Sequence, residues 1–301
     1  MLTEQGSIFF RLLLNKYILA NQDAFLHILP EEEQKEVSQH LFASNNPLAA
    51  LSSSLGWLEH VHYSWLEAPI QSLPAALQKS IILALTPEQK NGLIKRNLIS
   101  SSLESHCSFA QPVRCFLLNK LYEAWKEKEV NKRTVLAREL LARELLPDNS
   151  LLSLFECSKR ELVEVIDLLA MHDLSEEVRH IVDKKLLRAI LLNLTSRQQK
   201  YLKACLHQKA KMAMLPLNVK EVYKDRKAFT MLLHKRGLKR FALGLCGCDP
   251  DFIWHITHTL DTGRGKIVID ACQKETEVQK TTQMIRLEIL AIIQLLKKEA
   301  V

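Results

Sequence analysis

Apolar positions in this chain recur at three- and four-residue intervals, without the strict alternation of a half-buried strand. Leu162, Val165, Ile166 and Leu169 fall on one helical face. Val178, Ile181, Val182, Leu186, Ala189 and Ile190 keep the same period. The run Asp173-Leu174-Ser175-Glu176 predicts a helix start with Asp173 as its cap. The last stripe is Val278, Ile285, Ile289, Ile292 and Leu296, which predicts the longest helix over about 277–298. Lys297 and Lys298 suit the negative end of its dipole. Start signals agree with the stripes. Thr86-Pro87-Glu88-Gln89 reads as a cap, a proline in the first turn and a returning Gln. Ser158 with Glu161 and Thr195 with Gln198 repeat the capping-box spacing. Ile267-Val268-Ile269 is the one strand-like run, and it too is expected to be helical.

A loose repeat joins three places. Leu26 to Gln34, Leu83 to Gln89 and Leu191 to Gln198 each close an apolar stretch, cap, and open a helix with Glu or Gln early in it. Their spacing is uneven, so no strict solenoid period emerges. Stacked helix pairs of armadillo-like type are expected, in an all-α, multi-domain chain. No glycine lies between Gly92 and Gly237, which disfavours hairpins. Breaks fall near Ser100–Pro112 and Met212–Asn218. Three helical modules are expected, at 1–105, 106–215 and 216–301. The echo of Leu136-Ala-Arg-Glu-Leu140 in Leu141-Ala-Arg-Glu-Leu145 reads as one surface helix.

Charge sharpens this outline. Residues 1–150 hold 15 Lys+Arg against 16 Asp+Glu, whereas residues 151–301 hold 26 against 18. From Lys184 to Arg240 there are 16 basic residues and two acidic ones, Glu221 and Asp225. Such a block attracts an acidic protein face, nucleic acid or an anionic membrane surface. Lys200, Lys203 and Lys209 are its candidate partner-binding residues. Seven cysteines, odd in number and scattered, point to free thiols in a reducing compartment. The apolar stretch Ile8–Leu19 is broken by Arg11, Asn15 and Lys16, too often for a membrane span. It also lacks the basic start and cleavage site of an export signal.

Motifs that could carry chemistry are isolated. Asp261-Thr262-Gly263 matches the aspartic protease triplet, which needs paired carboxylates on β-loops. Gly263-Arg264-Gly265-Lys266 is glycine-rich and basic, but Lys266 is followed by Ile267 and the first glycine stands too close for a phosphate loop. Cys246 and Cys248 with His255 and His258 form the best metal set, Cys2His2 being a zinc donor set. His60 and His62, near Trp57 and Trp65, are a weaker one. No Ser/His/Asp or Cys/His arrangement has local support. The expectation is therefore no catalytic residue, no metal and no cofactor. A helical nucleic-acid binder using residues 184–240 is the alternative reading.

The last 80 or so residues carry a family likeness. Asp225-Arg226, Leu238-Lys239-Arg240-Phe241-Ala242-Leu243, Cys246-Gly247-Cys248, Asp249-Pro250-Asp251-Phe252 and the final Leu295-Leu296-Lys297-Lys298 resemble the C-terminal domain of the flagellar motor switch protein FliG. Gly247 is placed to end one helix, Asp249 to cap the next and Pro250 to open it. The middle-domain Glu-His-Pro-Gln motif of that family has no match. Residues 251–259, which correspond to a charge-dense helix in flagellar relatives, hold one acidic residue and no Lys or Arg. The resemblance therefore implies a scaffold role rather than a torque surface. It implies a bacterial cytoplasmic scaffold of a flagellar-type or type III secretion (injectisome) apparatus, peripheral to the inner membrane. Its partners would be other subunits of that complex, including an inner-membrane ring component, and no small-molecule substrate. Phe252 and Trp254, on an apolar helix, are expected as partner-binding anchors.

Overall fold

The computed structural model describes residues 10–11, 26–39, 56–96, 109–130, 140, 141, 143, 146–207, 217–274 and 280–300. Of these residues 81% are helical and none lies in a strand, so the chain is all-α. It divides into two compact units. The first takes Met1–Leu152 and Asp249–His255; the second takes Ser153–Cys248 and Ile256–Val301.

The first unit holds α1 (Glu31–Gln39), a 3₁₀ turn (Gly56–His60), α2 (Tyr63–Gln71), α3 (Ala75–Ala84), α4 (Pro87–Lys95) and α5 (Gln111–Val130). The capping box at Thr86 forms as its sequence predicts, with Pro87 in the first turn. Gln89 does more than its cap requires. Its Nε2 donates to the carbonyls of Leu58 and Val61, each at 2.7 Å, and so holds the 3₁₀ turn against α4. The core is built from Trp57, Leu58, Leu66, Ile70, Ile81, Ile82, Leu93, Leu121 and Trp125, all buried. Burying each such side chain favours folding by about 1.5–3 kcal/mol relative to leaving it exposed. Arg114 at the start of α5 donates to the Ala84 carbonyl at 3.0 Å, placing a cation at the negative end of α3.

The second unit follows a 3₁₀ turn (Leu152–Glu156). It holds α6 (Lys159–Arg179), α7 (Lys184–Asn193), α8 (Ser196–His207), α9 (Val219–Val222), α10 (Arg226–Leu245), part of α11 (Pro250–Thr259), α12 (Thr262–Lys274) and α13 (Lys280–Ala300). The capping boxes at Ser158 and Thr195 both form. The helix start expected at Asp173 does not. Helix α6 runs through it, because Asp173 faces the interior and meets Arg240 there. The apolar stripe instead breaks after Arg179, and α7 is capped by Asp183. Val182, expected inside, is 94% exposed. Gly237 lets α10 approach α6: a Cβ there would lie 2.0 Å from the Ile166 carbonyl oxygen.

The end of α10 is closed as its sequence predicts. Gly247 takes φ 74°, a left-handed conformation that costs other residues energy. Asp249 accepts from the amides of Asp251 and Phe252 at the head of α11. Arg286 of α13 completes the closure, donating to the carbonyls of Gly244 at 2.9 Å and Cys246 at 2.7 Å. A guanidinium there satisfies terminal carbonyls and opposes the helix dipole. On α13, Ile285, Ile289, Ile292 and Leu296 are buried as expected; Val278 lies outside the described residues. Ile267–Ile269 is helical, within α12.

The repeat seen in the sequence is a helix joint with fixed hydrogen bonding. The amides of Leu29, Leu85 and Leu194 each donate to the carbonyl three residues back, on Leu26, Ile82 and Leu191. A proline or threonine follows and the next helix begins. Leu73 makes a fourth copy that the sequence pattern did not reveal, donating to the Ile70 carbonyl before Pro74. In three of the four joints a Gln five residues on reaches back to the leucine carbonyl: Gln34 to Leu29, Gln78 to Leu73 and Gln199 to Leu194. By contrast, the tandem Leu-Ala-Arg-Glu-Leu is not one helix. Leu140 and Leu141 lie outside any helix, and residues 131–139 lie outside the described ones.

Candidate docking surface

The basic block from Lys184 to Arg240 sorts into two groups in the second unit. Three arginines pair with carboxylates that precede or follow the block in sequence, Arg236 and Arg240 inside the unit and Arg197 at its surface. Arg197 pairs with Glu164, Arg236 lies 3.7 Å from Asp173, and Arg240 bonds both Asp173 and Glu288. Among the described residues, eight lysines and two arginines are exposed: Lys184, Lys185 and Arg188 on α7, Lys200 and Lys203 on α8, Lys224 before α10, and Arg226, Lys227, Lys235 and Lys239 on it. The predicted partner residues Lys200 and Lys203 thus stand on the surface, one turn apart on α8. Lys209 lies outside the described residues.

Helical spacing aligns these charges. On α10, Lys227, Met231, Lys235 and Lys239 are exposed at intervals of four and share one face. Lys184, Arg188 and Leu192 do the same on α7. The end of α7 is tied to the turn after α9, where the Asn193 side-chain amide donates to the Tyr223 carbonyl at 2.7 Å. Met231 is 57% exposed and Leu192 79%. Both rows therefore carry an apolar side chain among cations.

The inward arginines build a buried polar cluster that the sequence did not disclose. Arg240 is 2% exposed and Asp173 is also buried. Burial pushes the Asp173 carboxyl up from its ordinary value, while Arg240 and Arg236 pull it down. Tyr201 Oη lies 3.0 Å from His172 Nε2, and Cys205 Sγ lies 3.9 Å from His172 Nδ1. That Cys–His pair invites a catalytic reading, but burial pushes the Cys205 thiol up to about 12. A thiol so buried stays protonated at neutral pH and is a poor nucleophile.

Phe252 and Trp254 do not stand where partner anchors would. Phe252 is fully buried and Trp254 is 5% exposed. Trp254 belongs to an aromatic cluster of the first unit, its ring centroid 5.2 Å from Trp57 and 5.9 Å from Trp125. Edge-on and tilted rings at these distances are favourable packing contacts. Beside it, Asp251 accepts from the Leu141 amide at 3.1 Å, and His255 Nε2 lies 2.7 Å from the Leu141 carbonyl. Burial holds the His255 imidazole down to about 3, so it is neutral and donates through Nε2. The two side chains, four residues apart, hold both backbone polar groups of Leu141.

The other candidate motifs are engaged structurally. Cys246 Sγ donates to the Ala242 carbonyl and Cys248 Sγ accepts from Arg286. With His255 on Leu141, the Cys/His set is spent on packing. Among the described residues no group of three or more His, Cys, Asp and Glu gathers as metal donors would. Asp261 caps α12, accepting from the Arg264 amide and pairing with its guanidinium, so the glycine-rich run is that helix's first turn. His62 caps α2, with Nδ1 accepting from the Ser64 amide. Compared with known proteins, the chain matches no family model, no curated protein and no solved structure at a significant level.

Proposed function

We propose that the chain is a non-enzymatic scaffold that docks through the basic face of its second unit into a flagellar-type or type III secretion apparatus, at the cytoplasmic side of the inner membrane. The observation that carries this reading is the division of the basic block. Arg236 and Arg240, whose forked geometry suits carboxylate pairing, are used inside the unit, while eight of the ten cations exposed among the described residues are lysines. Their rows attract an anionic partner and do nothing for the core. The repeated helix joints support an armadillo-like stacking of the kind the FliG resemblance implies. So does the order of α10, the Gly247 turn, α11, α12 and α13.

The test is capture of the tagged chain from its native cell at low and raised salt, followed by identification of what is retained. Recovery of ring or export subunits of such an apparatus, lost as salt rises, is the expected result. Recovery of nucleic acid alone would move the chain to the second reading, which the ten exposed cations also favour.

A further inference from the structure

We infer that the exposed rows on α7, α8 and α10 take an anionic phospholipid surface; this rests on the reading of that face as a docking surface. Three features select lipid over the other anionic partners. Eight of the ten exposed cations are lysines. A lysine is a compact charge with no fixed fork, suited to a smeared field of headgroups, whereas arginine is the side chain of bidentate phosphate recognition. Next, Leu192 and Met231 project from the same rows, 79% and 57% exposed. Apolar side chains among cations enter the boundary between headgroups and acyl chains, where a polynucleotide backbone offers them nothing. Finally, Phe229 and Phe241 of α10 are buried, and Tyr201 and Tyr223 are half-buried. Among the described residues the face therefore lacks the exposed rings that stack bases and the Trp and Tyr anchors that dominate protein interfaces.

The contact is peripheral. No described helix is long and apolar enough to cross a membrane. Attraction of this type weakens by roughly fivefold for each lysine lost near the surface and decays within a Debye length of about 8 Å at physiological salt.

The experiment is co-sedimentation of the full chain with vesicles of phosphatidylcholine, with and without phosphatidylglycerol, alongside binding to duplex DNA at the same salt. Binding is expected only to vesicles containing phosphatidylglycerol. Lys227→Gln, Lys235→Gln and Lys239→Gln together should weaken it by about a hundredfold, and the Glu versions by more. Leu192→Ser with Met231→Ser should weaken it by about tenfold and leave any DNA binding unchanged. All five positions are exposed, and circular dichroism of each variant checks the fold. The inference is overturned by absent vesicle binding, by binding indifferent to the Leu192 and Met231 changes, or by tighter binding to DNA. If the lysine reversals still release the captured apparatus while vesicles do not bind, the docking reading stands and the lipid inference falls. If they change neither, both fall.

Discussion

The two units share a ground plan and differ in what fills it. Each contains a 3₁₀ turn followed by helices joined by a leucine and then threonine or proline. The ten-residue helices α3 and α7 both end in such a joint, at Leu85-Thr86 and Leu194-Thr195. Each unit then presents a twenty-residue helix, α5 or α10. In the first unit that helix buries Leu121 and Trp125 among aromatic rings. In the second it buries Arg240 against Asp173 and Glu288. One frame thus closes over a carbon core in one place and over a charge cluster in another. An apolar core tolerates gradual loss of area, whereas a buried charge punishes the loss of any single partner.

The sharpest way to break the comparison is to remove one central side chain from each unit. Trp254→Ala should destabilise the first unit by about 3–5 kcal/mol, since the cavity opens among Trp57 and Trp125. All four tryptophans, Trp57, Trp65, Trp125 and Trp254, belong to that unit, so tryptophan emission in a denaturant titration reports it selectively. Arg240→Leu should cost the second unit about 3–5 kcal/mol by taking the shared cation from Asp173 and Glu288 and leaving Asp173 only Arg236, 3.7 Å away. That loss should appear in far-ultraviolet circular dichroism and leave the tryptophan transition in place. Adding Asp173→Leu and Glu288→Leu should restore most of the stability, because an apolar replacement of a buried ion cluster is often neutral or better. No second change of that kind should rescue Trp254→Ala.

Acid should also separate the units. His255 is held neutral by burial, down to about 3 from an ordinary 6.5. The unfolded chain takes up a proton near 6.5 that the folded first unit refuses. Stability from this group is therefore full above about 6.5 and falls by roughly 1.4 kcal/mol per pH unit between about 6.5 and 3. Tryptophan-detected titrations at several pH values measure that slope, and His255→Gln should flatten it. The smallest expected effect is also the most symmetric. Thr86→Ala and Thr195→Ala remove equivalent caps and should each cost about 1 kcal/mol, one in each unit. A markedly unequal pair would show that the joints are alike in geometry only.

Local chemistry was legible from the chain, and pairing at a distance was not. The capping boxes at Thr86, Ser158 and Thr195, the Gly247 turn and the α13 stripe all rest on residues within one helix turn of each other. Asp173 misled because aspartate before an apolar run has the composition of a cap. What makes it interior is Arg240, 67 positions later. The same blindness hid the split of the basic block, whose paired arginines are chosen by Glu164, Asp173 and Glu288 on other helices. Trp254 was read from its own helix alone, where too many apolar residues run together to share one face. Its burial depends on Trp57 and Trp125, far away in sequence. The fourth joint, at Leu73, escaped because Ala75-Ala76-Leu77 follow its proline, where Glu31-Glu32-Glu33 follow Pro30, so no early acidic residue marked the helix start.

The claim at the centre of this account is that exposed lysines serve a partner while buried arginines serve the fold. One comparison tests it directly: thermal unfolding and native-cell capture measured on the same variant, Lys200→Glu, Lys203→Glu, Lys227→Glu, Lys235→Glu and Lys239→Glu combined. The account predicts an unfolding midpoint close to that of the parent chain and loss of the captured complex. Retention of the complex by a folded variant would contradict it.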